Sequence, residues 1–111
     1  MIRTVFSTVC AFALIAISNS EAKAEYNAEK GQAVYESSCI SCHKTGLVGA
    51  PIAGNKTEWV PRIAQGLDVL VSHSIKGFSG KKGIMPEKGG NASLTNQEVG
   101  DAVAYMVKIS Q

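Results

Sequence analysis

Residues 39–43 read Cys39-Ile40-Ser41-Cys42-His43, and three side chains of these types at this spacing can do one specific piece of chemistry. Two thiols three positions apart on a tight turn can add to the two vinyl groups on one edge of a haem, giving thioether bonds that hold it covalently. The imidazole that follows then lies beside the iron and can serve as its proximal ligand. The run therefore reads as the attachment site of one haem c, bonded through Cys39 and Cys42 with His43 on the metal.

A Cys-x-x-Cys pair also occurs in thioredoxin-like redox sites and as half of a zinc site. A zinc site needs a second ligand pair. The only other cysteine is Cys10, and the only other histidine, His73, has no ligand partner at metal-binding spacing. A thioredoxin-like domain needs strands alternating with helices, whereas the residues around Cys39 are short, polar and helix-like. A haem-free Cys-x-x-Cys oxidoreductase requires a colourless protein.

Residues 1–24 read as an export signal. Arg3 precedes an apolar stretch from Val5 to Ile17, then Ser18-Asn19-Ser20, then Ala22-Lys23-Ala24 as a small-x-small cleavage signature. The apolar run is shorter than the roughly 20 residues a spanning helix needs, which argues against an uncleaved anchor. Val9 before Cys10, with most of the apolar stretch following, argues against a lipoprotein. The expected division is a signal peptide at 1–24 and a monohaem domain at 25–111, with no transmembrane segment in the mature chain. The expected destination is the periplasm of a Gram-negative bacterium, where unpaired thiols oxidise and a surviving pair must be captured by its cofactor.

Residues 25–111 make one small domain, near the size at which a hydrophobic core alone is marginal. A buried macrocycle supplies the missing core. Nine basic against eight acidic side chains leave this part almost neutral, so bulk charge gives no reason to expect nucleic acid as a partner.

Helix signals must position the motif. Asn27 can cap a helix to about Ser38 that delivers Cys39, with Ala28, Gly31, Val34 and Tyr35 near one face. A second short helix is expected over Glu58–Gln65, with Thr57 as cap or Pro61 as its first residue, and Gly66 as its stop. A third, Leu67–Phe78, gathers Leu70, Val71, Ile75 and Phe78 on one side and turns His73 to solvent. The last is the clearest: Thr95-Asn96-Gln97-Glu98 matches a capping box, followed by Val99, Ala102, Val103 and Met106. No strand pattern of comparable quality competes, so the expected fold class is all-α, about four short helices around one covalently bound haem.

Between the third and fourth helices lies a segment with five glycines, from Gly77 to Gly90, suited to wrapping a flat cofactor. Met85 within it is the candidate sixth ligand, because a thioether is a soft donor for haem iron and raises the reduction potential. Pro86 keeps Met85 extended. Met106, on the apolar stripe of the last helix, reads as core. His73 is the competing distal ligand. Trp59 and Arg62 carry donors only and are candidates to bond a buried haem propionate, the alternative being a core indole and a solvated guanidinium.

These residues together resemble a class I c-type cytochrome, and more narrowly the cytochrome c5 family. The resemblance runs through Gly31 and Tyr35, Cys39-x-x-Cys42-His43, Gly49-Ala50-Pro51, Trp59-Val60-Pro61-Arg62-Ile63-Ala64-Gln65-Gly66, Met85-Pro86-Glu87-Lys88-Gly89-Gly90-Asn91-Ala92 and Tyr105-Met106-Val107. It implies that Gly31 and Tyr35 pack the first helix across the last near Tyr105, and that the Pro51 carbonyl accepts the second N–H of His43, a bond that orients the ring. Two departures stand out: residues 25–111 hold no cysteine pair beyond the haem pair, and Glu87 stands where the family often has a second proline.

The expected function is one-electron transfer by a soluble, monomeric monohaem protein, not an enzyme, since two filled axial positions leave no site for substrate. Its partners are then redox proteins, periplasmic reductases or membrane oxidases and dehydrogenases. Lys76, Lys81, Lys82 and Lys88 around the Met85 loop offer a positive rim that can steer an acidic partner. Two alternatives remain open at this point: a small subunit of a larger oxidoreductase, and a gas-binding or peroxidatic haem protein if Met85 is not bound to iron.

Overall fold

A computed structural model describes residues 25–111. The expected export signal and Cys10 lie outside the described residues.

Asn27 begins the first helix, α1 (Ala28–Val34): its side-chain oxygen accepts the Lys30 amide at 3.0 Å, satisfying one of the orphan donors of the first turn. The helix does not stop near Ser38. It widens into a π-helical turn over Tyr35–Cys39 and continues as α2 (Ile40–His43), so one unbroken helical path carries the whole haem motif. Wide turns of this kind concentrate at functional sites. Here the turn separates Tyr35, packed against the last helix, from Cys39, which borders the central cavity.

After a 3-10 turn over Leu47–Gly49, α3 spans Lys56–Ile63, two residues earlier at both ends than the spacing predicts. The cap is Asn55, whose side chain accepts the Glu58 amide at 3.3 Å. Pro61 lies inside the helix instead of opening it. It removes only the bond to the Thr57 carbonyl, and Thr57 is exposed, so water can replace that bond.

The fourth helix, α4, spans Leu67–Lys76 and ends at Gly77, so Phe78 is not helical as expected. Phe78–Ser79 (β1) instead pairs antiparallel with Ile84–Met85 (β2), Phe78 opposite Met85 and Ser79 opposite Ile84. The turn closes through the Gly80 amide on the Gly83 carbonyl, 2.8 Å. This short hairpin is the one departure from an all-helical chain among the described residues. A 3-10 turn over Glu87–Gly90 leads to α5 (Asn96–Ile109), where the expected capping box forms: Glu98 N–H to Thr95 Oγ1 at 3.1 Å and Thr95 N–H to Glu98 Oε1 at 3.0 Å.

The frame is α1 crossed on α5. A Cβ on Gly31 would strike the Asp101 carbonyl oxygen, so α1 approaches α5 through a glycine, and one on Gly100 would strike the ring of Tyr26, in the segment leading into α1. Tyr35 and Tyr105 stack at a tilt beside this crossing, with ring centroids 5.3 Å apart. The packing that the resemblance implies for Gly31 and Tyr35 is present. Tyr35, Trp59, Val71, Leu94, Val99, Ala102, Val103 and Met106 form the buried apolar core.

Candidate haem site

A cavity of about 740 Å³ opens between the haem motif, α3, α4 and the hairpin. Its walls are largely apolar and include Trp59, Leu70, Val103 and Met106.

His43 is buried on one wall, with 7% of its surface exposed. Its Nδ1 lies 2.9 Å from the Pro51 carbonyl oxygen, which can only accept, so Nδ1 carries the proton and the Nε2 lone pair is free. The Ala53 amide donates to the His43 carbonyl at 2.7 Å, so the loop after the motif grips this residue twice. Burial lowers the imidazole pKa, the Pro51 bond opposes that shift, and the Arg62 charge adds to it. The net direction keeps the ring neutral, as a metal ligand must be.

Cys39 and Cys42 are both free and half-buried on the same cavity. Burial, with Cys42 adding, pushes the Cys39 thiol up to about 11. Reactive Cys-x-x-Cys sites do the opposite, lowering a thiol to expose a thiolate at neutral pH. Among the described residues no group of three or more His, Cys, Asp or Glu side chains could hold a metal ion.

Met85 is half-buried in β2 and borders the same cavity. Two loops meet in front of it: a Cβ on Gly49 would lie 2.0 Å from the Lys82 carbonyl oxygen, and one on Gly83 would lie 1.9 Å from that of Val48. Glycine alone permits this approach, and Val48 takes a left-handed φ of 50° to make it. The neighbouring Leu47, Val48 and Ile84 are exposed, as are Lys81 and Lys82.

Several side chains make contacts that the sequence does not show. The Trp59 indole N–H does not wait for a propionate: it donates to the Ile52 carbonyl at 2.9 Å, and the ring, 3% exposed, is core and cavity wall. Glu58 accepts the Ile52 amide at 2.8 Å, so α3 clamps both polar groups of the residue next to Pro51. Arg62 borders the cavity and donates one N–H to the Glu58 carbonyl, keeping further donors on its guanidinium. Lys88 gives its amine to the Leu94 carbonyl at 2.7 Å and drops out of the expected lysine rim. His73 does not point freely to solvent but borders the cavity, its ring stacked on Phe78. The apolar spacing of this helix misses this because α4 has two covered sides, one on α5 and one on the cavity, which only the assembled molecule reveals.

An apolar cavity, two free thiols on one wall of it and a neutral imidazole with its Nε2 free are what a covalently attached haem requires, so the residues fit the group. The chain belongs to the class I c-type cytochromes, in their c5-like branch, and carries one haem c bonded through Cys39 and Cys42. The family model described as cytochrome c oxidase, cbb3-type, subunit III matches residues 26–106. Cytochrome c-555 of Chlorobaculum tepidum is 54% identical over 107 residues, 96% of each chain. Cytochrome c5 of Azotobacter vinelandii is 35% identical over 81 residues, 71% of this chain and 93% of that one. Among solved structures, a chain from an electron transfer complex of nitrite reductase with cytochrome c superposes with a TM-score of 0.67 at 34% identity. The match covers 78% of this chain and all of that chain.

Proposed function

We propose that this cytochrome is a soluble periplasmic one-electron carrier, with His43 and Met85 as the two axial ligands of its haem iron. The observation that carries the reading is that a neutral imidazole, fixed through Nδ1 to Pro51, and a thioether on a separate hairpin border one cavity. Bound there, the haem supplies reversible one-electron chemistry at its iron. The chain orients His43, brings up Met85, excludes water with Trp59, Leu70 and Met106, and offers Arg62 to a propionate. No side chain is asked to act as acid, base or nucleophile, so the proposal is a carrier and not an enzyme.

Periplasmic location rests on the export signature of residues 1–24. No helix of the described residues is long and apolar enough to cross a membrane. A redox protein as partner is supported by the solved neighbour, which comes from a complex with nitrite reductase. The exposed apolar residues at the loop clasp, flanked by Lys81 and Lys82, suit a brief, salt-sensitive encounter. The description of the matching family model favours a second reading, a subunit held in a larger oxidase. A monodisperse monomer on size exclusion supports the free carrier; aggregation relieved by a co-purifying partner supports the subunit.

The deciding experiment is optical spectroscopy of the purified protein, ferric and dithionite-reduced, with acid extraction. The expected result is haem that stays on the polypeptide, sharp low-spin reduced bands and the weak near-infrared ferric sulfur-to-iron band. A high-spin ferric spectrum without that band, with carbon monoxide bound on reduction, overturns the ligand assignment.

A further inference from the structure

The hairpin that presents Met85 is held by little regular structure. Its strands are two residues each, far below what stands alone in water. Its near end leaves α4 at Gly77, where φ 85° and ψ 155° fall in a region open essentially to glycine alone. A Cβ there would press on the Met85 carbonyl oxygen at 3.2 Å and on the Glu87 amide at 3.3 Å, so the strand carrying Met85 lies directly against this exit. The angle at which the chain leaves the helix therefore sets where Met85 goes.

One side-chain contact spans that exit. His73, in the last turns of α4, lies flat on Phe78, the first residue after Gly77, with ring centroids 4.0 Å apart and planes 11° from parallel. Phe78 is the residue paired with Met85 across the hairpin. His73 itself is half-buried and borders the cavity. Phe78 is 45% exposed, so burial in the core alone does not fix its ring. An offset-stacked aromatic pair contributes beyond the area it buries and so restrains both rings.

We infer that His73 is a positioning residue for the sixth ligand: its ring, stacked on Phe78, fixes the departure of β1 from α4 and so holds the Met85 thioether in the cavity. The inference rests on Met85 being that ligand. His73 acts through ring contact, neither as a ligand nor by donating a hydrogen bond.

The test is the rate at which added imidazole binds the ferric holoprotein, read with the sulfur-to-iron band, in the wild type, His73→Ala and His73→Phe. Because imidazole must wait for the thioether to leave, loss of the stack should speed binding several-fold, up to about tenfold. His73→Ala should show this gain and a weakened band. His73→Phe, which keeps a stacking ring without nitrogens, should match the wild type. Hydrogen exchange at the Gly80 amide, bonded to Gly83, should rise only in His73→Ala. An alanine variant indistinguishable from the wild type overturns the inference, as does a phenylalanine variant that behaves like alanine. A wild-type protein lacking the sulfur band removes the Met85 assignment and this inference with it, whereas a wild-type band with an indifferent His73→Ala removes this inference alone.

Discussion

Met85 and Trp59 illustrate two ways in which a single side chain can matter at this site. The role assigned to Met85 is electronic: truncation removes the sulfur donor while leaving the short strand backbone in place. Met85→Ala should lose the near-infrared ferric band, bind carbon monoxide when reduced and have a lower potential, because a thioether ligand raises it. An unchanged ferric spectrum would sink the assignment. Trp59 matters mechanically. Its indole N–H serves the Ile52 carbonyl, one residue from the Pro51 oxygen that orients His43. Trp59→Phe keeps the ring and deletes that bond, which should cost about 1 kcal/mol and lower Tm by about 4–8 °C, with the potential little changed. A clear shift in potential at constant Tm would instead tie the indole to a propionate. The haem motif was legible in the sequence because covalent chemistry fixes both the residue types and their spacing, and Met85 could be placed there only as a candidate because a soft donor in a glycine-rich loop has no fixed spacing. The partners of Trp59, Lys88 and His73 were not, because Ile52, Leu94 and Phe78 reach them only through the path of the folded backbone, which no local pattern encodes.

Among the elements, α5 was legible in detail and α3 was not, for the same physical reason working in opposite directions. Thr95 and Glu98 satisfy each other's backbone amides within one turn, so local chemistry fixes the start of α5. At α3 three residues compete to open the helix, and Asn55 does so because its side chain reaches the Glu58 amide while the cost of Pro61 falls on an exposed carbonyl. The strands of the hairpin are too short for any alternation to register; their pairing follows from glycines that let two loops and a helix exit approach one another. The crossing of α1 on α5 is the element contact most open to test. Gly31→Ala in an isolated helix would be stabilising by roughly 0.5–1 kcal/mol. Here the added methyl lands 1.8 Å from the Asp101 carbonyl, a backbone atom that yields only if the helices separate. The variant should therefore be destabilised by about 1–3 kcal/mol or more, read as a lower denaturation midpoint. A raised midpoint would mean that the helices do not meet through this glycine.

At the scale of the whole molecule, the haem is part of the core and not a guest in it. Eight buried apolar residues, drawn from the π-helical turn, α3, α4, α5 and Leu94 just before α5, form the core, yet beside them lies an opening of about 740 Å³ walled by apolar side chains. Left without its macrocycle, this opening exposes apolar wall and forfeits packing contacts along it, and a domain this small has little core to spare. The helices cannot make up the difference: α1, α3 and α4 are each ten residues or fewer, and helices of that length do not persist alone in water. A Cys39→Ser/Cys42→Ser variant purified free of haem should therefore show little helical signal in the far ultraviolet and no cooperative melt. Its weak remaining helicity should map to α5, the longest and best-capped element. Native helix content and a cooperative transition in the haem-free chain would mean that the apolar core suffices unaided. It would also mean that the cavity walls close together, with His43 and Met85 drawn into a collapsed interior in place of a preformed site.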